Sequence, residues 1–324
     1  MKAVLCKSFG PPDTLVVEDV ASPVAGQGEV VVTVRAAALN FFDTLIIENK
    51  YQFKPSLPFS PGAELAGTVK ALGEGVSGLA VGDRVMAYAG WGACREEVAV
   101  EADRVVALPA GLDFVSAAGL SVTYGTTMHA LKDRARLQPG ETLCVLGAAG
   151  GVGQSAVELG KIMGARVIAA ASSDDKLDFC RSLGADETIN YTTENLKDRL
   201  KELTGGRGAD VIYDPVGGTL SEEALRATAW EGRFLVVGFA AGDIPRIPLN
   251  LVLLKGCQIC GVFWGDFVRR SPQANAANVA QLVAWCADGR IKPHIHGRYP
   301  LERTAEALGV LARREAMGKV VVEP

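Results

Sequence analysis

The chain has 324 residues, 48% of them hydrophobic and 22% charged, and a formal net charge of −4. This length allows two domains, and the slightly acidic balance argues against nucleic acid as a partner. No apolar run reaches membrane-span length, and the opening segment lacks the apolar region of a signal peptide, so we expect a cytoplasmic protein with no membrane partner.

The chain up to Gly119 is rich in short strand patterns that glycine, proline and aspartate separate. Such punctuation, as in VGDRV and LPAG, is typical of turns between strands. The predicted strands of this β-rich part are Lys2–Leu5, Thr14–Glu18, Glu29–Ala38, Ala66–Leu72, Arg84–Ala87 and Glu97–Val100.

From Gly119 onward, strand and helix patterns alternate, which predicts an α/β domain with a doubly wound parallel sheet. The predicted strands are Thr142–Leu146, Arg166–Ala170, Glu187–Asn190, Val211–Tyr213, Phe234–Val237 and Gln258–Val262. The predicted helices are Gln154–Met163, Asp175–Leu183, Leu196–Leu203 and Ser221–Ala229. A later helix, Asn275–Asp288, and a strand, Lys319–Glu323, are too few for a third domain, so we expect them to complete the first one.

A glycine-rich turn joins the first strand and the first helix of this alternation, in the segment TLCVLGAAGGVG. Because Gly150, Gly151 and Gly153 have no β-carbon, backbone there can approach phosphate oxygens closely. The amides at the helix N-terminus would then point at the negative charge. The pattern predicts a dinucleotide site, the alternative being an ordinary strand-to-helix turn.

The end of the second strand of the alternation indicates which dinucleotide binds. Ala171 stands where an acidic residue would bind the ribose 2′-hydroxyl of NAD, and Ser172 and Lys176 follow it. A hydroxyl and an ammonium suit a 2′-phosphate, so the sequence predicts NADPH. Asp174 and Asp175 count against this, although they suit a first helical turn, and the segment SSDD could be only a helix cap.

The seven cysteines are odd in number and lie mostly in apolar runs, which indicates reduced, buried thiols. Cys257 and Cys260 form a C-x-x-C pair, a pattern also found in redox and zinc sites. No second pair or histidine is near, so we expect a core strand instead. His294 and His296 lack a third ligand, so no metal site is predicted there.

Together, several segments resemble the medium-chain dehydrogenase/reductase superfamily, and within it the zinc-free NADPH:quinone oxidoreductases related to zeta-crystallin. They include ALNFFDTL, PFSPGAELAGTV, LSVTYGTT, GAAGGVGQSAVELGKIMGA, LGADETINY, VGFAAGDIP, GVFWGDF and GKVVV. The resemblance implies a discontinuous GroES-like catalytic domain of residues 1–122 and 262–324, and a Rossmann NADPH-binding domain of residues 123–261.

The zinc alcohol dehydrogenases of this superfamily have metal ligands where this chain has Asn40, Ala63 and, nearby, Ala118. Alanine cannot bind zinc, and the segment that would carry the four-cysteine structural zinc site has only Cys94. We therefore expect no catalytic zinc. Without a Lewis acid, hydride transfer to an electron-poor quinone or activated alkene is favoured over alcohol oxidation.

The resemblance also implies site residues. Those implied at the cofactor are Thr123, Gly150, Gly151, Val152, Gly153, Ser172, Lys176, Tyr191, Phe239, Phe263, Gly265 and Lys319. Those implied in the substrate cleft, as candidate catalytic residues, are Asn40, Asp43 and Tyr51. The expected activity is NADPH-dependent reduction of a quinone. Two alternatives stay open: reduction of an enone or enoyl-CoA, and a non-catalytic NADPH-binding role. A zinc alcohol dehydrogenase is a third interpretation, which a measured content of one zinc per chain would support.

Family members pair through the edge strand of the Rossmann sheet, which implies a homodimer. That strand would lie in LLKGCQICGVFW, an apolar segment in which no charge or proline after Lys255 protects an exposed edge in the folded monomer. A two-fold partner would satisfy its unpaired amides. The alternative is that a helix or loop of the same chain covers the edge.

Overall fold

A computed structural model describes the whole chain, Met1 to Pro324, which divides into two compact units. We call Met1–Val122 with Gln281–Pro324 the catalytic unit, and Thr123–Ala280 the Rossmann unit. None of the helices is both long and apolar enough to span a membrane.

The strands in chain order are β1 Lys2–Leu5, β2 Val16–Asp19, β3 Glu29–Leu39, β4 Glu64–Leu72, β5 Arg84–Tyr88, β6 Glu97–Glu101, β7 Val105–Ala107, β8 Thr142–Leu146, β9 Arg166–Ala171, β10 Glu187–Asn190, β11 Ala209–Asp214, β12 Thr228–Val236, β13 Gln258–Gly261, β14 Ile295–Pro300 and β15 Lys319–Glu323.

The α-helices are α1 Phe41–Ile47, α2 Phe114–Ala118, α3 Ser121–Met128, α4 Gly151–Ile162, α5 Asp174–Ser182, α6 Leu196–Leu203, α7 Thr219–Arg226, α8 Asn250–Lys255, α9 Trp264–Arg270, α10 Pro272–Ala287 and α11 Thr304–Ala312.

The catalytic unit contains a sheet in the order β14-β15-β3-β4-β5-β7, with β6 also paired to β3. β3 is antiparallel to β4, β6 and β15, and seven of its residues are valine or alanine, which suit close packing between strands. The last strand of the chain, β15, thus lies beside the long N-terminal strand β3.

The Rossmann unit contains a parallel sheet in the order β10-β9-β8-β11-β12-β13, with helices between successive strands. Every residue of β8 is buried, as expected for the centre of a parallel sheet that both faces cover. The strand order reverses between β8 and β11. Ligands of such sheets bind at the carboxyl ends of the strands at this reversal, and the glycine-rich turn follows β8 there.

The return to the catalytic unit lies at Gln281, later than the boundary after residue 261 that the resemblance implies. Side-chain packing explains the difference. The Phe267 ring of α9 stacks on His129 with centroids 3.9 Å apart, and Asn278 of α10 donates to Asp133 over 3.0 Å. A β-carbon at Gly125 would meet Trp264 ring atoms at 2.9 Å, so α9 lies directly against α3.

The apolar segment around Cys257 and Cys260 contains the predicted strand, observed as β13, but it begins with a helix. Its first part belongs to α8, which ends at Gly256 in the left-handed conformation that glycine adopts readily. Its strand, β13, is the edge of the sheet, with Gln258 and Ile259 exposed. Both cysteines are nevertheless buried and free, as are the other five.

Candidate active site

Strand register brings polar residues from distant parts of the chain together in the catalytic unit. Ala38 of β3 pairs with Glu64 of β4, and Leu39 of β3 pairs with Val320 of β15. Asn40 follows β3 directly, and Lys319 is the first residue of β15. The side chains of Asn40, Glu64 and Lys319 therefore converge.

Lys319 is the centre of this cluster. Its Nζ donates to Glu64 Oε1 over 2.8 Å, to Asn40 Oδ1 over 2.8 Å and to the Leu39 carbonyl over 3.0 Å. An ammonium has three N–H groups, so all of them have acceptors here. The direct cofactor contact implied for Lys319 would require it to release one of these bonds.

Asp43, on the first turn of α1, is wholly buried beside this cluster. Its Oδ2 accepts the Asn40 backbone N–H over 2.7 Å, and its Oδ1 accepts that of Gly62 over 3.2 Å. Burial raises the pKa of Asp43 to about 7, although these bonds and the Lys319 charge oppose the shift. The carboxyl thus links the backbone of Asn40 to that of Gly62.

Tyr51 contributes a phenol and an aromatic wall to the same unit. Its ring stacks on Phe42 with centroids 5.2 Å apart and is tilted against Phe53 at 5.8 Å. Burial, and then the charge of Asp43, raises the pKa of Tyr51 to about 12. The phenol therefore stays protonated near neutral pH and can donate a hydrogen bond.

The glycine-rich turn lies where an anion can bind in the Rossmann unit. Helix α4 begins at Gly151, so the amides of Gly151, Val152 and Gly153 have no acceptor within the helix. Gly150, the N-cap, has no side chain to cap them, and the first turn carries no acidic residue. These amides can therefore receive a phosphate.

Ser172, Lys176 and Tyr191 come together at the carboxyl ends of β9 and β10. Lys176 Nζ donates to Ser172 Oγ over 3.3 Å, and the Tyr191 amide donates to the Ala171 carbonyl over 3.2 Å. Asp174 accepts from the Asn190 side chain over 2.9 Å. Because the amide is neutral, Asp174 keeps its charge, and this charge still opposes a phosphate bound nearby.

The other residues implied at the cofactor lie at separate places in the Rossmann unit. Thr123 is buried in α3, where its carbonyl accepts from Ser155 Oγ over 3.1 Å. Phe239 and Phe263 follow β12 and β13 and are 37% and 46% exposed. Gly265 lies in the first turn of α9.

Asp214, a residue that the sequence motifs did not predict, stabilises the loop after β11. Its carboxylate accepts the backbone N–H groups of Val216 and Gly217 over 2.8 and 2.9 Å, and the Ser221 hydroxyl. The loop after β11 also contacts the loop after β12, because the Ala241 amide donates to the Val216 carbonyl over 2.7 Å. An aspartate before the turn-forming segment PVGG is the sequence signal that could have revealed it.

Comparison with known proteins matches two family models. Residues 26–127 match the alcohol dehydrogenase GroES-like domain, and residues 151–285 match the zinc-binding dehydrogenase domain. A quinone oxidoreductase-like protein 2 homolog of Nematostella vectensis is 41% identical over 99% of this chain and 88% of its own length. The chain belongs to the quinone oxidoreductase branch of the medium-chain dehydrogenase/reductase superfamily. The resemblance found in the sequence is thereby confirmed.

Two further proteins, one compared by sequence and one by structure, align with the present chain almost from end to end. The quinone oxidoreductase of Pseudomonas aeruginosa is 34% identical, over 100% of this chain and 99% of its own length. The crystal structure of Escherichia coli quinone oxidoreductase complexed with NADPH superposes with a TM-score of 0.93, at 29% identity and 100% coverage of both chains. The predicted fold class, a GroES-like β-rich domain plus a Rossmann sheet, is confirmed.

In the present protein, the positions that carry zinc ligands in the zinc alcohol dehydrogenases hold an asparagine and two alanines. Asn40 Oδ1 accepts from the Lys319 ammonium, and both Ala63 and Ala118 are buried. No group of three or more His, Cys, Asp or Glu side chains is arranged to hold a metal ion.

Proposed function

We propose that this protein reduces quinones, with NADPH as the hydride source and without a metal. The observation that carries the proposal is the end-to-end similarity to proteins named quinone oxidoreductase. The E. coli relative was crystallised with NADPH, which supports the same cofactor here.

The residues of the Rossmann unit fit this cofactor. The amides of Gly151, Val152 and Gly153 would hold the pyrophosphate, because the first turn of α4 offers free donors and no competing carboxylate. Ser172 and Lys176, which contact each other, would bind the 2′-phosphate.

In the catalytic unit, Asn40 and Tyr51 are the proposed donors to the acceptor molecule. NADPH, when bound, supplies a hydride. The oxygen of the acceptor becomes more negative as it is reduced, and donors aimed at it would stabilise that charge. A reduced quinone oxygen can take its proton from solvent, so Asn40 and Tyr51 need only orient and donate. This suits a phenol whose pKa is raised to about 12.

Reduction of an activated alkene is the second candidate, and the same two donors favour it. Hydride addition to an enone or enoyl-CoA forms an enolate, whose oxygen needs hydrogen-bond donors and a proton source. Tyr51, protonated and beside Asp43, is the side chain best suited to that role.

The deciding experiment compares quinones, enones and enoyl-CoA esters under identical conditions by following NADPH oxidation. We expect the fastest turnover with a quinone and the same rate after exhaustive chelation. Fastest turnover with an alkene would replace the proposal by the second candidate. Tight NADPH binding without turnover would favour a non-catalytic protein, and loss of activity on chelation that zinc restores would overturn metal independence.

Lys176→Ala is expected to remove most of the preference for NADPH over NADH. The loss of one charge-assisted hydrogen bond costs roughly 1.5–3 kcal/mol, so NADPH affinity should fall about tenfold to a hundredfold while NADH affinity hardly changes. Fluorescence titration of both cofactors checks this. Lys197→Ala, which removes a lysine paired with Asp198 on α6, is the control of equal charge. Equal affinity of the unmodified protein for both cofactors would contradict the assignment.

We also propose a homodimer formed through β13. This strand is the free edge of the parallel sheet, and Ile259 on it is 41% exposed. Leu253 and Leu254 of the adjoining helix α8 are 79% and 69% exposed. An unpaired edge flanked by exposed leucines is a surface that a two-fold partner would cover.

Ile259→Lys is expected to convert the dimer to a monomer, because a lysine on the paired edge would carry its charge into an apolar interface without a counter-charge. Light scattering at micromolar concentration measures the mass. Val24→Lys, at an apolar residue of the catalytic unit that is 88% exposed, is the matched control and should leave the mass unchanged. A monomeric, fully soluble wild-type protein would refute the proposal.

A further inference from the structure

The catalytic unit contains an ion pair, Glu64–Lys319, that is shielded from solvent. Its side chains are 0% and 2% exposed, and the charged atoms lie 2.8 Å apart. The second carboxylate oxygen of Glu64 accepts the Val122 backbone N–H over 2.8 Å. Isolating two charges from water is costly, and a buried pair is often no more stable than apolar residues of the same volume. A contribution to the stability of the fold is therefore a weak explanation for the presence of this ion pair.

Both members of the pair contact the same amide. Lys319 Nζ donates to Asn40 Oδ1 over 2.8 Å, and Asn40 Nδ2 donates to Glu64 Oε1 over 3.0 Å. The oxygen of an amide only accepts hydrogen bonds and its nitrogen only donates them. A flipped Asn40 would place its NH₂ group against the ammonium and its oxygen against the carboxylate. The ion pair thus permits a single orientation of the amide.

One N–H of Asn40 is held weakly in that orientation. Glu64 takes one of the two Nδ2 hydrogens, and the contact to the Ala38 carbonyl is 3.5 Å long, at the limit of a hydrogen bond. The positive charge of Lys319 at Oδ1 polarises the amide and strengthens Nδ2 as a donor. Asn40 remains 6% exposed.

We propose that Glu64 and Lys319 are positioning residues, which hold Asn40 so that its Nδ2 donates to the oxygen of the molecule that is reduced. The role of Nδ2 rests on the function proposed above, whereas the fixed orientation of the amide does not. The pair acts through Asn40 and exchanges no proton with the acceptor.

The test uses the full-length double variant Glu64→Gln/Lys319→Met. It removes both charges at nearly constant volume, so neither charge is left buried alone. We expect kcat at saturating NADPH to fall about tenfold or more, since a positioned donor is worth roughly 10²–10³ in rate and loses part of that when it is free to rotate. The matched control is Glu141→Gln/Arg233→Met, which removes a largely buried ion pair of the Rossmann unit and should leave kcat unchanged.

A second readout needs no turnover. The side-chain NH₂ signals of Asn40, assigned by their loss in Asn40→Asp, should move and exchange faster with solvent in the double variant. Unchanged Asn40 signals, or a kcat equal to that of wild type, would overturn the positioning role. If the wild-type protein reduces no acceptor, the proposed function is wrong. The NMR signals still test whether Glu64 and Lys319 fix the orientation of Asn40. If the double variant does not fold, Lys319→Met gives the same readouts, because it removes the donor to Asn40 Oδ1 and Glu64 can take up a proton in place of its lost partner.

Discussion

Replacing Gly153 by alanine is expected to abolish tight NADPH binding and to destabilise the Rossmann unit. A β-carbon there would lie 2.2 Å from the Gly147 carbonyl oxygen and 2.7 Å from the backbone of Ala148. These are backbone atoms, so no side-chain rotation can relieve the clash, and the turn must separate from α4. Forced overpacking of this kind costs roughly 1–3 kcal/mol or more.

The loss of cofactor affinity follows from the same displacement. The amides of Gly151, Val152 and Gly153 would no longer converge on one phosphate, and hydrogen bonds to a charged group are worth about 1.5–3 kcal/mol each. We therefore expect NADPH affinity to fall by about a hundredfold or more, measured by fluorescence titration.

Gly150→Ala is the matched control, on the same turn. Its β-carbon would lie 3.5 Å from the Gly147 oxygen, an ordinary contact, and the backbone angles of Gly150, φ −73° and ψ 173°, are allowed for alanine. This variant should unfold at the wild-type temperature and lose affinity only through steric contact with the phosphate. A Gly153→Ala protein with wild-type Tm and wild-type NADPH affinity would contradict the argument.

The sequence was most informative where structure depends on local pattern. The observed β8 has the predicted bounds Thr142–Leu146, and α4 begins three residues before the predicted Gln154. An apolar run followed by a glycine cluster specifies a strand and a turn over a short window, so no distant contact is needed to predict them. Alternation of such patterns then predicts the parallel sheet.

The polar cluster of the candidate site was beyond that kind of prediction. Glu64 and Lys319 are 255 positions apart in sequence and meet because β15 pairs with β3 and β3 pairs with β4. The sequence shows a glutamate after PGA and a lysine in GKVVV, and nothing in either local segment indicates that the two residues are in contact. For the same reason the burial of Asp43, and with it the raised pKa, could not be derived from the pattern around it.

The segment around α8 shows a different difficulty. Leucines at positions 253 and 254 precede Lys255 and Gly256, and they were interpreted together with the following strand as one apolar strand pattern. A short apolar run fits a strand and a helix equally well, and here the left-handed Gly256 ends a short helix. The exposure of Leu253 and Leu254 means that burial within the chain does not specify their conformation.

The buried Asp43 predicts a specific pH dependence of stability. Its pKa is about 7 in the folded protein, mainly because of burial, and about 3.9 in an unfolded chain. Glu64 adds to the shift, while Lys319 and the two backbone N–H groups oppose it. The folded state holds this proton more tightly, so the contribution of Asp43 to stability is fully present below about pH 4 and is lost as pH rises through 7.

Comparison of wild type with Asp43→Asn isolates this contribution. As pH rises from about 4 to 7, the free energy of unfolding of wild type should fall relative to that of the variant by about 4 kcal/mol, and the difference should then stay constant. Urea unfolding across this range measures it. Asp186→Asn is the control: burial alone would raise the Asp186 pKa, but hydrogen bonds from Lys161 and the Val167 amide lower it overall. Its difference from wild type should stay flat above about pH 5, because Asp186 is ionised in both the folded and the unfolded state there. A flat difference for Asp43→Asn as well would mean that Asp43 is already ionised in the folded protein well below pH 7, and that its two backbone hydrogen bonds and the Lys319 charge outweigh the effect of burial.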